Sequence, residues 1–219
     1  LIEAPALRQR AAQVLETLYD RDGDPSAEGL VRMLQIRLEA TEPGAPRAAL
    51  HQRIAELREI VLHDPVGALD AIATATLEDP TQATFREELL RLSAVALQDA
   101  RAAETLEEVL EDPRASTVRV PVLRDLAAIY DERLIDPVKA ERTFRRLLTE
   151  AEGDRDTTLA AAVALERCVD RTVGTEAREH LLVEGDRLGH RRELLLEHRG
   201  RAHQQLLLGV AVAHQRGLV

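Results

Sequence analysis

The chain contains the stretch Leu62-His63-Asp64-Pro65-Val66-Gly67-Ala68, and a close copy, Ile135-Asp136-Pro137-Val138-Lys139-Ala140, follows 72 positions later. Half of that interval, about 36 residues, is a length typical of repeats built from two helices. One helical pair cannot bury its own apolar face, so neighbouring pairs stack on each other. The two stretches therefore predict an array of stacked helical pairs, a fold that offers an extended surface for binding other molecules.

The composition predicts that the whole chain is helical. Ala, Leu, Glu and Arg dominate the 219-residue sequence, and these residues have high helix propensity. Aromatic residues make up 2% of the chain and Trp is absent, so we expect a core of Leu, Val, Ile and Ala. Because β-branched and aromatic residues do not alternate with polar ones, we expect no strand.

Proline, glycine and aspartate residues divide the chain into five predicted repeats and a C-terminal segment. The repeats are expected over about 5–43, 46–80, 83–113, 118–152 and 156–188, and the basic and apolar C-terminal segment over 189–219. The clearest helices inside them are expected over about 5–22, 47–62, 65–77, 83–97, 100–110, 121–134, 137–151 and 157–171. Asp24 followed by Pro25 also predicts a helix start, because aspartate caps helix N-termini and proline suits the first helical position.

Repeat four resembles the tetratricopeptide repeat. That family carries a Leu, a small residue and a Tyr in its first helix, and small, large and small residues in its second. Repeat four has Leu126, Ala127 and Tyr130 at the first-helix positions, and Ala140 and Phe144 at the first two second-helix positions. The match is not complete, because a large residue follows where the family has its last small one.

Repeat two resembles the same family, except that Arg58 stands where Tyr is usual. Its matching residues are Ile54, Ala55, Ala68, Ile72, Ala75 and Pro80. The small second-helix residue recurs in each repeat, at Gly29, Ala68, Ala103, Ala140 and Ala177. The resemblance implies an all-α fold, a right-handed α-solenoid of about five to six antiparallel helical hairpins. A HEAT-type array, whose units are about 40 to 47 residues long, stays open as the alternative, above all for repeats three and five.

In tetratricopeptide proteins the first helices line a concave binding surface. Carried over to this sequence, the resemblance places on that surface Gln52, Glu56, Glu59, Glu87, Arg91, Arg124, Asp131, Glu132 and Leu165. Carboxylates outnumber guanidinium groups in this set, which favours a basic protein partner. Family members that clamp a C-terminal carboxylate use Lys and Asn on first helices. This chain has no Asn, and its one lysine, Lys139, lies on a second helix, so we do not expect that use.

Charge and hydropathy exclude other partner classes. The net charge of −10, from 29 basic and 39 acidic residues, disfavours nucleic acid, because phosphate contacts need concentrated Lys and Arg. The longest apolar run, residues 206–213, is far shorter than the roughly 20 residues of a membrane-spanning helix, so we expect no span.

The C-terminal segment has a different character from the rest of the chain. From Arg187 onward the chain holds six Arg and two Glu, and the segment includes the apolar run 206–213. A solenoid normally ends in a polar cap. We therefore expect this run either to mediate self-association or to belong to a further repeat. We also expect the chain to be one segment of a longer, bacterial, cytoplasmic protein, since one cysteine and no signal peptide fit a reducing compartment.

The sequence offers no catalytic, phosphate-binding or zinc-protease motif. The late histidines are His180, His190, His198, His203 and His214. Two of them are five residues apart, a step that rotates a helix by about 140°, so we expect surface histidines and no metal site. Cys168 lies among Ala164, Leu165 and Val169, an apolar setting that raises the pKa of a thiol. We expect a packing cysteine there and not a nucleophile.

These observations predict a non-enzymatic protein-interaction scaffold that needs no cofactor. Two other functions stay open. The chain could be a structural subunit whose surfaces are all used in packing within a large assembly. It could also be a regulatory domain that senses a small effector and controls an output domain elsewhere in a longer chain.

Overall fold

The computed structural model describes residues 10, 11, 14, 27–151, 154 and 156–171. Within these ranges the chain is helical and contains no strand, which confirms the all-α prediction for this part. The predicted helix over about 5–22 lies almost entirely outside the described residues. The second half of repeat five, the late histidines and the C-terminal segment lie wholly outside them.

The chain divides into two compact lobes, Leu1–Arg119 and Val120–Val219. The described helices of the first lobe are α1 (Ala27–Leu38), α2 (Ala45–Ile60), α3 (Pro65–Glu78), α4 (Ala83–Ala96) and α5 (Asp99–Glu111), followed by a 3-10 turn, Pro113–Val118. Each helix packs against the next one in sequence, and α3 also packs against α5.

Helix α3 forms the centre of the first lobe because it contacts α2, α4 and α5. It is apolar on most of its circumference, and Leu69 and Ile72 are fully buried. Its small residues Ala68, Ala73 and Ala75 are also buried, which lets the neighbouring helices approach closely.

The second lobe contains most of α6 (Arg119–Ala128), a π-helical turn (Ile129–Arg133), α7 (Pro137–Glu150) and α8 (156–171). Helix α7 packs against the π-helical turn. The sequence predicts one helix from about 121 to 134. The structure starts it two residues earlier and widens its last turn, where the Leu134 N–H donates to the Ile129 carbonyl at 2.9 Å. The bounds of α2, α3, α4, α5 and α7 lie within two residues of the predicted ones, and α8 begins one residue before its predicted start.

The repeated stretch begins α3 and α7 in the same way. Oδ1 of Asp64 accepts a hydrogen bond from the N–H of Gly67 at 2.9 Å. Oδ1 of Asp136 accepts one from the N–H of Lys139 at 3.0 Å. Both aspartates are N-caps, and a proline follows each at the first helical position, where its missing N–H costs no hydrogen bond.

Three non-glycine residues in the described part have a left-handed backbone, each at the end of a first helix. They are His63 (φ 52°), Leu97 (φ 55°) and Ile135 (φ 52°). This conformation ends many helices, but glycine or asparagine usually adopts it, because a Cβ is strained there. The turns therefore share one backbone geometry that their side chains do not favour.

Candidate binding surface on the first helices

The structure joins two of the predicted surface residues, Glu59 of α2 and Arg91 of α4. The Arg91 guanidinium donates to both carboxylate oxygens of Glu59, with Nη1–Oε1 at 2.7 Å and Nη2–Oε2 at 2.6 Å. Such bidentate pairs fix geometry as well as charge. The hydrogen bonds from Arg91 lower the pKa of the Glu59 carboxyl. Hydrogen bonds to Glu59 and then Glu88 raise the pKa of Arg91.

The other predicted residues of the first lobe make no ion pair to a neighbouring helix among the described residues. Glu56 pairs with Arg53 of the same helix at 3.1 Å. Glu87 is exposed, and its carboxylate forms no ion pair with another described residue. Gln52 is half-buried. Among the predicted residues next to the Glu59–Arg91 pair, Glu87 is exposed and Glu56 is partly exposed and paired with Arg53.

In the second lobe the four predicted residues divide into two exposed and two buried ones. Arg124 and Glu132 are exposed. Asp131 and Leu165 are buried, with 6% and 8% of their surface accessible. The Asp131 carboxylate forms an ion pair with Arg171 of α8. Asp131 and Leu165 therefore contact the interior of the second lobe and not solvent.

Cys168 lies beside the same carboxylate. Its Sγ is 3.3 Å from Oδ1 of Asp131, and Nη2 of Arg171 is 3.4 Å from Sγ. Burial raises the pKa of the Cys168 thiol, as the sequence predicts. The expected apolar setting is incomplete, because Asp131 and Arg171 form a polar side of the site. The thiol is held protonated and enclosed.

A half-buried polar cluster that the sequence did not indicate lies at the end of α3. The Glu78 carboxylate accepts a hydrogen bond from the Gly44 N–H at 2.9 Å and pairs with Arg47 at 3.2 Å. Nε2 of His51 is buried nearby and has no hydrogen-bond partner among the described residues. Burial lowers the pKa of His51, while the Glu78 charge opposes that shift. These contacts join residues 34 positions apart, so no local pattern could have revealed them.

Metal and membrane features are absent from the part of the chain that the structure covers. Across residues 27–151 and 156–171, no three His, Cys, Asp or Glu side chains come together in a way that could hold a metal ion. No helix in those ranges has the length and apolar character needed to cross a membrane.

No protein-family model matches this sequence, and a comparison with curated proteins found no relative. The described helices pack against their neighbours in a way that is compatible with a helical repeat fold.

Proposed function

We propose that the protein is a non-enzymatic protein-interaction scaffold, built as a tetratricopeptide-like right-handed α-solenoid of antiparallel helical hairpins. In such an array the first helices of consecutive repeats lie side by side. The observation that supports this arrangement is the bidentate Glu59–Arg91 pair, which joins the first helix of repeat two to that of repeat three. Ile54, a family-matched residue of repeat two, is buried.

The proposed binding surface on α2 and α4 is acidic. Its carboxylates include Glu87, which is exposed, and Glu56, which is paired with Arg53 of its own helix, and Arg91 is shared between Glu59 and Glu88. One guanidinium between two carboxylates leaves an excess of negative charge. A basic protein partner therefore fits this surface, and its association should be fast and sensitive to salt.

In the second lobe, taken by itself, Arg124 and Glu132 are the exposed residues among the predicted first-helix positions. Asp131 and Leu165 are buried against their own lobe. Glu59 contributes through Arg91, so reversing its charge would break an internal contact as well as change the surface. Glu56 and Glu87 are the better positions for testing partner binding.

Site-specific photo-crosslinking in cells of the source organism tests the proposal. A photoreactive amino acid would replace Glu56, Glu87 or Glu132 on the first helices of the full-length native protein. Matched variants would carry it at Glu107 and Arg142, which are exposed residues of second helices. We expect a discrete crosslinked protein from the first-helix positions and none from the matched ones.

The other outcomes identify the alternatives. Crosslinks of equal strength from both sets of positions would indicate a subunit enclosed within an assembly. An absence of protein crosslinks from all five positions would contradict the scaffold proposal and favour an effector-sensing domain.

A further inference from the structure

Two turns in the first lobe expose large apolar side chains. One turn joins α2 to α3, and the other joins α4 to α5. Their exposed apolar residues, named here the turn patch, are Ile60 (67% exposed), Val61 (55%), Val66 (41%), Val95 (55%) and Leu97 (88%). Apolar surface of this kind, surrounded by charged groups, is typical of interaction sites.

Two ion pairs between the helices place these turns side by side. Glu59, the neighbour of Ile60, binds Arg91, which lies one helical turn before Val95. Asp70 near the start of α3 pairs with Arg101 near the start of α5 at 3.6 Å. The turn patch is therefore one surface at one end of the first lobe.

Leu97 combines an exposed side chain with an unfavourable backbone conformation. Leu97 is almost fully exposed, and its φ of 55° lies in the region that favours glycine. The second lobe repeats this combination at Ile135, which has a φ of 52° and is 65% exposed. Leu97 therefore buries little surface at a backbone position that glycine would favour, and it is available for contact with another molecule.

The charges around the turn patch are predominantly negative. Arg91 is shared by Glu59 and Glu88, at 2.6 Å and 2.8 Å. Arg101 is likewise shared by two carboxylates, those of Asp70 and Glu104, both at 3.6 Å. Each arginine thus leaves one carboxylate charge uncompensated.

The negative excess distinguishes the possible occupants. A second copy of this chain, docked through the same patch, would bring its own carboxylates against these carboxylates. An anionic membrane surface would be repelled by them. We propose that the turn patch docks a basic amphipathic segment of a partner protein, with apolar side chains on Leu97 and Val95 and basic ones against Glu88 and Glu104. This inference rests on the proposed scaffold function, for which it names the chemistry of the partner.

The probe is a labelled peptide of about 14 residues made of Leu and Lys. Its sequence would place the Leu and Lys side chains on opposite faces of a helix. Fluorescence anisotropy would compare it with a Leu/Glu peptide and a Ser/Lys peptide of the same pattern. We expect the full chain to bind only the Leu/Lys peptide. Leu97→Gly should weaken that binding by about tenfold or more, as expected for an anchor residue. Glu88→Gln should weaken it less and reduce its dependence on salt.

Leu159→Ala is the matched control, since Leu159 is 64% exposed on α8, outside the patch. It should leave peptide binding unchanged. Leu97→Gly removes only exposed atoms and suits the backbone, so the variant stays folded, which circular dichroism would verify.

Equal binding of the Leu/Glu peptide, or binding that Leu97→Gly does not change, would overturn the inference. Leu97-dependent dimerisation in light scattering, or Leu97-dependent binding to phosphatidylserine vesicles, would overturn it by identifying a different occupant. The two proposals can fail separately. Crosslinking at Glu56 and Glu87 reports whether a partner exists, whereas the peptides report the chemistry of the patch.

Discussion

The side chain of Arg58 occupies the space that a side chain at Gly67 would need. A Cβ at position 67 would overlap Nη1 of Arg58 and Oδ2 of Asp64, which form an ion pair with each other at 2.9 Å. In the second copy, 72 positions later, the equivalent residues are Tyr130 and Lys139. Nζ of Lys139 lies 5.0 Å from the centre of the Tyr130 ring. Each copy thus has one basic side chain between these two positions. In the first copy it comes from α2, and in the second copy it comes from α7.

Exchanging these residues should reveal a coupling between positions 58 and 67. Gly67→Lys alone would force a long side chain into the volume of Arg58 and bring two positive charges together, so we expect it to be destabilising. Arg58→Tyr alone loses the pair with Asp64. The double variant recreates the Tyr–Lys contact of the second lobe. We expect urea unfolding to show a favourable interaction free energy of about 1–2 kcal/mol in the double-mutant cycle.

Glu88→Gln combined with Gly67→Lys provides a control cycle for this measurement, because Glu88 pairs with Arg91 of its own helix and not with Arg58. Its interaction free energy should be close to zero. If the two cycles give the same value, positions 58 and 67 are not specifically coupled.

The helices could be predicted because their signals are local. An Asp-Pro dipeptide predicts a helix start within a few residues. The chain has such dipeptides at Asp64-Pro65 and at Asp136-Pro137, and α3 and α7 begin there. The turn at Leu97 has no such dipeptide. Its left-handed backbone ends α4, where the Gln98 N–H donates to the Ser93 carbonyl at 2.9 Å, and neither glycine nor asparagine marks that end in the sequence.

The candidate surface could be predicted only in part, because it depends on contacts between distant residues. Glu59 and Arg91 were assigned to one surface by the family pattern, but their bidentate pair spans 32 positions. The family pattern also places Asp131 on that surface. It is buried because Arg171, 40 positions later, supplies the opposite charge.

Ala140 is fully buried on α7, so a larger side chain should be destabilising. Ala140→Leu is expected to lower the free energy of unfolding by about 1–3 kcal/mol, because added methylene groups displace neighbours in a packed core. Urea denaturation followed by circular dichroism measures this. The matched control is Ala100→Leu, an exposed position on α5 that should change stability little. An Ala140→Leu variant as stable as the wild type would contradict close packing at this residue.

His51 should make stability depend on pH in the weakly acidic range. Burial lowers its pKa below the ordinary value of 6.5, so the folded state favours the neutral ring. The unfolded chain takes up the proton first as pH falls. The contribution of the neutral His51 ring to the free energy of unfolding is therefore fully present above about pH 6.5. It is lost as the pH decreases through the lowered pKa. We expect the free energy of unfolding to fall between about pH 7 and pH 5.

Variants at His51 and Glu88 isolate this effect. His51→Gln should flatten the profile in that range, whereas Glu88→Gln, a substitution away from His51, should keep the wild-type slope between pH 7 and 5. The carboxyls of Glu59 and Asp112 have lowered pKa values from ordinary values of 4.5 and 3.8, so their contributions are lost only at lower pH. A slope between pH 7 and 5 that persists in His51→Gln would assign the dependence to another group.

Glycine substitutions at Leu97 and Val95 should have opposite effects on stability. Leu97 has a φ of 55°, where glycine relieves strain, so Leu97→Gly should raise the free energy of unfolding by about 1 kcal/mol. Val95 lies inside α4, where glycine loses helix propensity, so Val95→Gly should lower it by roughly 0.5–1 kcal/mol. Both side chains are more than half exposed, so burial contributes little to either value. Urea unfolding would measure the free energy of unfolding of each variant against the wild type. A lower value for Leu97→Gly would show that this leucine supports the fold.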